Sequence, residues 1–221
     1  MRVGGNAGRV LGFERMLFFS DAVFAIAITL LVLDLRLPPI HNDVLTLDEI
    51  VPKLVGFVVS FFVIAQYWLA HHRLFESVRD YDAPLLRANL LFLASIAFLP
   101  FPTSAVAELV GTSIAVVFYA LSVATVGLLL VMLTLVARRA PLLAEGATLG
   151  GTWALVIRSL GAPLMFVATA MVAVHRPQLA MRLWLTLFLV LPLSVRLGMI
   201  VGRRIDARPA VVPNAGADAA T

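Results

Sequence analysis

The sequence predicts an all-α, polytopic membrane protein with six transmembrane helices, on the basis of its composition and its hydropathy pattern. Of its 221 residues, 61% are hydrophobic and 14% are charged. Soluble domains average about 45–50% apolar and about 25% charged residues, so a soluble fold of this length could not bury so much apolar surface. The apolar residues form six runs, each close to the roughly 20 residues that a helix needs to cross a bilayer.

The six predicted spans follow each other along the chain with short connections. They cover residues 16–37, 51–74, 84–107, 113–137, 152–174 and 179–201. The first run is longer than the apolar core of a signal peptide, roughly 7–15 residues, and Ser20 and Asp21 interrupt it, so we interpret it as a span rather than a cleaved leader. We therefore expect one transmembrane domain over residues 1–205. Residues 206–221 are small and rich in Ala and Pro, which predicts a disordered cytoplasmic tail.

The basic residues predict that both termini face the cytoplasm, because cytoplasmic loops of membrane proteins carry an excess of Lys and Arg. In this orientation thirteen of the 17 basic residues face the cytoplasm. The outward-facing ones are Arg36, Lys53, Arg176 and Arg182. We expect a multi-pass protein of the plasma membrane. Because the Arg residues gather at the ends of the spans, nucleic acid is a poor candidate partner.

Composition and spacing also argue against an enzyme. Cysteine is absent, which excludes disulfides, thiolate metal sites and cysteine nucleophiles. His71 and His72 are adjacent, so on a helix they point about 100° apart, whereas zinc hydrolases use two His residues four positions apart. Since no nucleophile–base pair or metal-ligand set is visible, we expect no enzyme activity, no bound metal and no cofactor.

The first span carries a stripe of aliphatic residues on one face. At 100° per residue, an arc of about 100° contains Phe19, Ala22, Ile26, Thr29, Leu30 and Leu33. The i, i+4, i+7 spacing of Ile26, Leu30 and Leu33 lets them stack as rings around an axis, and rings of aliphatic side chains close pores by dewetting. Ordinary helix packing explains the same stripe, and the Thr29 hydroxyl can simply bond back to the carbonyl of Ala25 or Ile26.

Ser20 and Asp21 form a polar spot elsewhere on this helix, towards its cytoplasmic end. An ionisable residue inside a span costs roughly 2.5–3.5 kcal/mol or more, and so it has a partner or a function. Arg15 is six residues from Asp21, whereas side chains on one helix meet at spacings of three or four, so each is expected to reach another helix. Candidates at the same depth are His71, His72, Arg73 and Asn89. Both a polar lock between helices and a role in ion passage or gating remain open.

These residues belong to a pattern that extends over three spans. It comprises Arg15-x-x-x-Phe19-Ser20-Asp21, Trp68-x-x-His71-His72-Arg73-x-Phe75, Asn89-Leu-Leu-x-Leu and Leu99-Pro100-Phe101-Pro102-Thr103. Over about residues 13–105 the chain resembles the transmembrane protein 175 family of potassium channels, and after that it is similar in hydropathy alone. Its length and helix count resemble the bacterial branch, which has a single six-helix unit per chain.

The resemblance implies a homotetramer in which the first helix of each subunit surrounds a pore that favours potassium ions. It implies that Ile26, Leu30 and Leu33 form the pore-lining constriction and that Thr29 contributes to selectivity. A structural or gating motif would comprise Arg15, Phe19, Ser20 and Asp21. Interhelical polar contacts would involve Trp68, His71, His72 and Asn89. The implied partners are potassium ions, the lipid bilayer and further copies of the chain.

Two other functions remain open from the residues alone. A proton-coupled secondary transporter would use Asp21 and either His71 or His72 as a proton relay, whereas a non-conducting scaffold would pass no ions. Many transporters are built from repeated halves, and no repeat is visible between the halves of this chain, which favours an oligomeric pore. Gly198 and Gly202 have the spacing at which helix backbones approach closely, although glycine is common in membrane helices in any case.

Overall fold

The computed structural model describes residues 4–33, 35, 47–109, 111–139, 142–143, 146 and 148–207. Of the predicted tail, residues 206–221, the structure describes only Asp206, which ends the last helix, and Ala207. Residues 208–221 lie outside the described residues, as do Arg2 and Arg36. Arg2, Arg36 and Arg208 contributed to the predicted topology. The described residues form eight α-helices and a 3-10 turn: α1 Gly4–Leu33, α2 Leu47–Glu76, α3 Ala83–Phe98, α4 Pro100–Glu108, α5 Ser113–Ala137, α6 Leu149–Ala173, α7 Pro177–Leu183, the turn Trp184–Thr186 and α8 Leu187–Asp206.

Six segments of the described chain are long and apolar enough to cross a membrane, which confirms the predicted all-α architecture with six spans. They are Gly8–Leu33, Lys53–Glu76, Ala83–Glu108, Ser113–Ala137, Leu149–Ala173 and Pro177–Asp206. Helices α1, α2, α5 and α6 each provide one span. The third span combines α3 with α4, and the sixth combines α7, the 3-10 turn and α8.

Helix α1 begins twelve residues before the apolar run that marks the first predicted span, which started at residue 16. Tertiary contacts support this extension. Arg9 forms an ion pair with Asp80 at 2.6 Å, and the ring of Phe13 packs against Phe75 and Tyr81 with centroids 6.1 and 6.3 Å away. Hydropathy marks only the part of a helix that lies in lipid, so the polar extension was not predicted.

The third span is interrupted at Leu99, directly before the proline residues Pro100 and Pro102. Proline has no N–H to donate to the preceding turn, so both residues leave carbonyls of α3 without their usual partners. The N–H of Leu99 donates instead to the carbonyl of Ile96, at 3.1 Å, in a tighter turn. Helix α4 then continues to Glu108.

The sixth span contains a break that the sequence did not predict. The 3-10 turn at Trp184–Thr186 separates α7 from α8. The break is not at the proline of this span, because Pro192 lies inside α8 without ending it. Trp184 is buried, and its indole N–H donates to Thr169 Oγ1 at 3.2 Å. Its ring packs on Tyr119, with centroids 4.7 Å apart. Packing against α5 and α6 therefore accompanies the local change of helix geometry.

The Gly198/Gly202 pair packs within the chain, where α8 lies against α6. A Cβ atom on Gly198 would lie 2.6 Å from the carbonyl oxygen of Ala154, and one on Gly202 would lie 2.6 Å from that of Gly150. The Asp206 carboxylate at the end of α8 accepts from the Gly150 N–H at 2.8 Å and so caps α6. This small-residue pattern therefore joins the fifth and sixth spans.

Candidate functional site: the exposed face of α1 and its polar neighbours

Helix α1 has one face buried against the rest of the described chain and one uncovered face. The buried residues, which face the bundle, are Met16, Ser20, Phe24, Ala27 and Leu31. On the other side Ile26 is 58% exposed, Leu30 40% and Leu33 67%. Phe19 and Thr29 are exposed on the same side. The structure thus brings the predicted constriction residues onto a continuous apolar surface that no other described part of the chain covers.

Thr29 is the hydroxyl of this surface. Its Oγ1 donates its hydrogen to the carbonyl of Ile26 at 2.9 Å, which is one of the two back-bonds considered from the sequence. A hydroxyl has one hydrogen and two acceptor lone pairs. Because the hydrogen is used within the helix, the exposed oxygen has its lone pairs free to accept a hydrogen bond or to contact a cation.

On the buried side, a chain of hydrogen bonds connects α1, α3 and α2. Ser20 Oγ donates its only hydrogen to the carbonyl of Met16 at 2.9 Å, so it accepts from Asn89 Nδ2 at 3.0 Å. The amide oxygen of Asn89 then faces His71 Nε2 at 2.9 Å. Since an amide oxygen can only accept, Nε2 carries the hydrogen of the neutral ring. The hydroxyl hydrogen of Ser20 therefore determines which atom donates and which accepts in each of these three hydrogen bonds.

The ring of His71 is held among aromatic side chains from the same three helices. It stacks on Phe92 of α3, with centroids 5.6 Å apart and an interplanar angle of 7°. Phe75 of α2 and Phe24 of α1 contact it at centroid distances of 4.6 and 5.6 Å. Packing thus fixes the ring plane, and the hydrogen bond to Asn89 fixes its rotation.

Asp21 reaches α2 through a residue that was not among its expected partners. Its Oδ1 accepts from the indole N–H of Trp68 at 2.9 Å, whereas His71, His72, Arg73 and Asn89 had been considered. Only the W-x-x-H-H spacing could have indicated this donor, because Trp68 lies one turn before His71 and His72. Arg15 is exposed and forms no hydrogen bond or ion pair with the described part of its own chain.

His72 makes its contacts within α2 rather than with another helix. Its Nε2 lies 3.5 Å from a carboxylate oxygen of Glu76, one turn later, and its ring stacks on Trp68, with centroids 5.5 Å apart. Both His residues line a cavity of about 260 Å³ between α1 and α2. Its acidic lining residues are Glu14, Asp21 and Glu76, of which Glu14 and Glu76 do not belong to the sequence pattern described above.

Six spans in one bundle, with an aliphatic stripe on the first span left uncovered, define this chain as a multi-pass helical membrane protein. Residues 15–100 match the model of a family described as the endosomal/lysosomal potassium channel TMEM175. The matched region contains the uncovered stripe, the hydrogen-bond chain and the residues that line the cavity, apart from Glu14. The predicted resemblance to this family is therefore confirmed over residues 15–100.

Individual proteins extend the comparison. The chain is 43% identical over 93 residues to a potassium channel of Streptomyces collinus, in a match that covers 41% of this chain and 45% of the relative. It is 27% identical over 120 residues to the endosomal/lysosomal proton channel TMEM175 of Gallus gallus, in a match that covers 52% of this chain and 24% of that protein. The chain spans about half the length of the bacterial relatives it matches.

The fold is shared over a longer stretch than the sequence similarity. The crystal structure of a lysosomal potassium-selective channel TMEM175 homolog from Chamaesiphon minutus aligns with a TM-score of 0.60 and 25% identity, covering 89% of this chain and 99% of that chain. The later spans, predicted from hydropathy alone, thus have the arrangement of a TMEM175 homolog. The match is to a family of channels, in agreement with the prediction that the chain is not an enzyme.

Proposed function

We propose that this chain forms a potassium-permeable cation channel of the plasma membrane, as a homotetramer with α1 of each subunit around the central axis. The observation that carries the proposal is the uncovered stripe of Ile26, Leu30 and Leu33, within the segment that matches a potassium channel family. Four copies of α1 around an axis would cover this stripe and stack its aliphatic side chains as successive rings.

In this arrangement Ile26, Leu30 and Leu33 constrict the pore, and Thr29 contacts the permeating ion. Aliphatic rings exclude water when the pore narrows, so they act as a barrier that opens by widening. The Thr29 oxygens, with their hydrogens donated to the Ile26 carbonyls, form a ring of four acceptors. Such a ring can replace part of the hydration shell of a potassium ion.

The cavity between α1 and α2 supports the same function. By the predicted topology it lies at the cytoplasmic end of the stripe, and Glu14, Asp21 and Glu76 line it. A cleft lined by charges of one sign raises the local concentration of counter-ions. The three carboxylates would therefore enrich cations beside the pore entrance.

Replacing Ile26 by Asn tests the pore assignment. The amide hydrates the constriction, so we expect a changed conductance or potassium/sodium selectivity in planar bilayers under a potassium/sodium gradient and in liposome flux assays. Val32→Asn is the matched control, because Val32 is 52% exposed on the same helix but points about 120° away from Ile26. If all fluxes of the Ile26→Asn protein equal those of the unmodified protein, α1 does not line the pore.

Replacing Asp21 by Ala tests the structural role of the motif. Loss of the acceptor for the Trp68 indole N–H should reduce the yield of folded tetramer, measured by size-exclusion chromatography. Trp68→Phe removes the same hydrogen bond from the other side and should act in the same direction. Normal assembly of Asp21→Ala with loss of conduction would instead assign Asp21 to ion passage.

A proton-coupled secondary transporter is the second candidate, because the cavity places Asp21, His71 and His72 together and the animal relatives are named proton channels. In His71 the nitrogen available to take up a proton is Nδ1, since Nε2–H is engaged by Asn89. A transporter would show saturable uptake driven by a pH gradient. Single-channel current steps in the bilayer recordings would exclude it.

A further inference from the structure

A large cavity lies among α2, α4, α5 and α7. It is at the opposite end of the bundle from the hydrogen-bonded residues Ser20, Asn89 and His71. Its volume is about 410 Å³, within the range of small-molecule binding sites. The lining residues near the surface include Val51, Val55 and Leu185, whereas Val59, Val106 and Trp184 are buried. The cavity therefore leads from the protein surface into the bundle between apolar walls.

The polar groups on the inner wall of the cavity already have partners. Thr103 Oγ1 lies 3.1 Å from Ser60 Oγ and 2.9 Å from the carbonyl of Leu99. Ser60 Oγ in turn lies 3.0 Å from the hydroxyl of Tyr119. Because these hydroxyls satisfy each other and a backbone carbonyl, the inner wall needs no polar ligand. The part of a ligand that reaches it is apolar.

The α7 side of the cavity carries the opposite chemistry. Gln178 and Arg182 line it, four residues apart on one helix face. Both side chains are exposed and form no hydrogen bond or ion pair with the described part of the chain. The described lining contains no carboxylate. A guanidinium group binds phosphate in a bidentate geometry, so this side of the cavity offers an anion site next to the apolar interior of the cavity.

We propose that this cavity binds an anionic phospholipid, with the phosphate at Arg182 and Gln178 and one acyl chain inserted towards Val59 and Trp184. The cavity lies at the ends of the spans, where lipid headgroups meet the protein, and the predicted topology places it in the outer leaflet. A water-soluble anion would leave the apolar walls unfilled, whereas a phospholipid matches both parts. The proposal concerns lipid binding and does not depend on ion conduction.

The acyl-chain site is tested by photolabelling the full-length protein in phosphatidylcholine nanodiscs that contain a phosphatidylglycerol with a diazirine on one acyl chain. Peptide mass spectrometry should find the label on α2, α4 or the 3-10 turn, at Val59, Val106 or Trp184. Val55→Trp should reduce this labelling about fivefold or more, because the ring fills the mouth. Leu54→Trp, which adds the same ring at the neighbouring exposed position outside the lining, should leave it unchanged.

The headgroup site is tested by removing the positive charge of Arg182. Arg182→Gln should reduce phosphatidylglycerol labelling by about fivefold, the factor that one basic residue near an anionic leaflet contributes, and Arg176→Gln, at the same end of the bundle, should not. Labelling that is confined to exposed side chains, or that persists in Val55→Trp protein with native size-exclusion behaviour, would overturn the proposal. Labelling by a diazirine fatty acid but not by the phospholipid would assign the cavity to free fatty acids and also overturn it.

Discussion

Asn89 places an amide, which needs both a donor and an acceptor, in the buried centre of the first three spans. Ser20 on α1 and His71 on α2 provide these partners at 3.0 and 2.9 Å. The sequence indicated that these residues lie at one depth, but it did not show which pairs form. Asp21, next to Ser20 in the chain, has a different partner, Trp68, because adjacent helical residues point in different directions.

Ser20→Ala should destabilise the fold more than a serine replacement without an interhelical partner. Removing the hydroxyl leaves Asn89 Nδ2 unpaired in a buried site, at a cost of about 1–2 kcal/mol in the free energy of unfolding. Ser122→Ala is the matched control, since Ser122 Oγ donates to the carbonyl of Phe118 on its own helix. Steric-trapping measurements in bicelles should show that the control loses about 0.5 kcal/mol or less of its free energy of unfolding. Equal losses would mean that Asn89 gains another partner.

Helices α6 and α8 illustrate what close packing requires at the scale of an element. Each of Gly198 and Gly202 faces a backbone carbonyl of α6, so the two helices approach closer than a side chain at either position would allow. Small-residue spacing predicts close approach but not the partner helix, which is another span of the same subunit. Asp206 adds a cap to α6, and this joins the two elements at their ends.

Gly198→Ala should therefore lower the stability of the single subunit. The added Cβ would lie 2.6 Å from the Ala154 carbonyl oxygen, so the helices must separate, at a cost of about 1–3 kcal/mol. Gly56→Ala is the control, because its Cβ would meet nothing within 4 Å and Ala in place of Gly in a helix is stabilising by about 0.5–1 kcal/mol. Thermal unfolding followed by size-exclusion chromatography measures both. A Gly198→Ala protein that melts normally but fails to oligomerise would place this pair between subunits.

At the scale of the whole molecule, the subunit presents the stripe on α1 and also has apolar residues exposed on other helices, such as Leu189 on α8, 72% exposed. In a tetramer built around α1, the two surfaces have different environments. The stripe faces other copies of itself, and α8 faces lipid. The absence of cysteine from the sequence allows this difference to be measured with single introduced thiols.

Ile26→Cys should form disulfide-linked dimers when membranes are oxidised, because the side chains of one ring meet around a common axis, where small helix motions bring their Cβ atoms to the roughly 4 Å separation of a disulfide. Leu189→Cys should stay monomeric on non-reducing gels under the same conditions. Random collisions in the membrane would cross-link both variants equally. That result, or cross-linking of Leu189→Cys alone, would contradict assembly around α1.

The six spans, and the polar residues near one end of the first three, could be predicted from the sequence, because hydropathy and residue spacing are local properties of the chain. The sequence also placed Ile26, Thr29, Leu30 and Leu33 on one face of α1. Which helix faces contact each other depends on the packing of the folded chain. Ser20 and Asn89 are 69 residues apart, and the close approach of α8 to α6 and the cavity beside Arg182 each depend on how helices distant in the chain pack together.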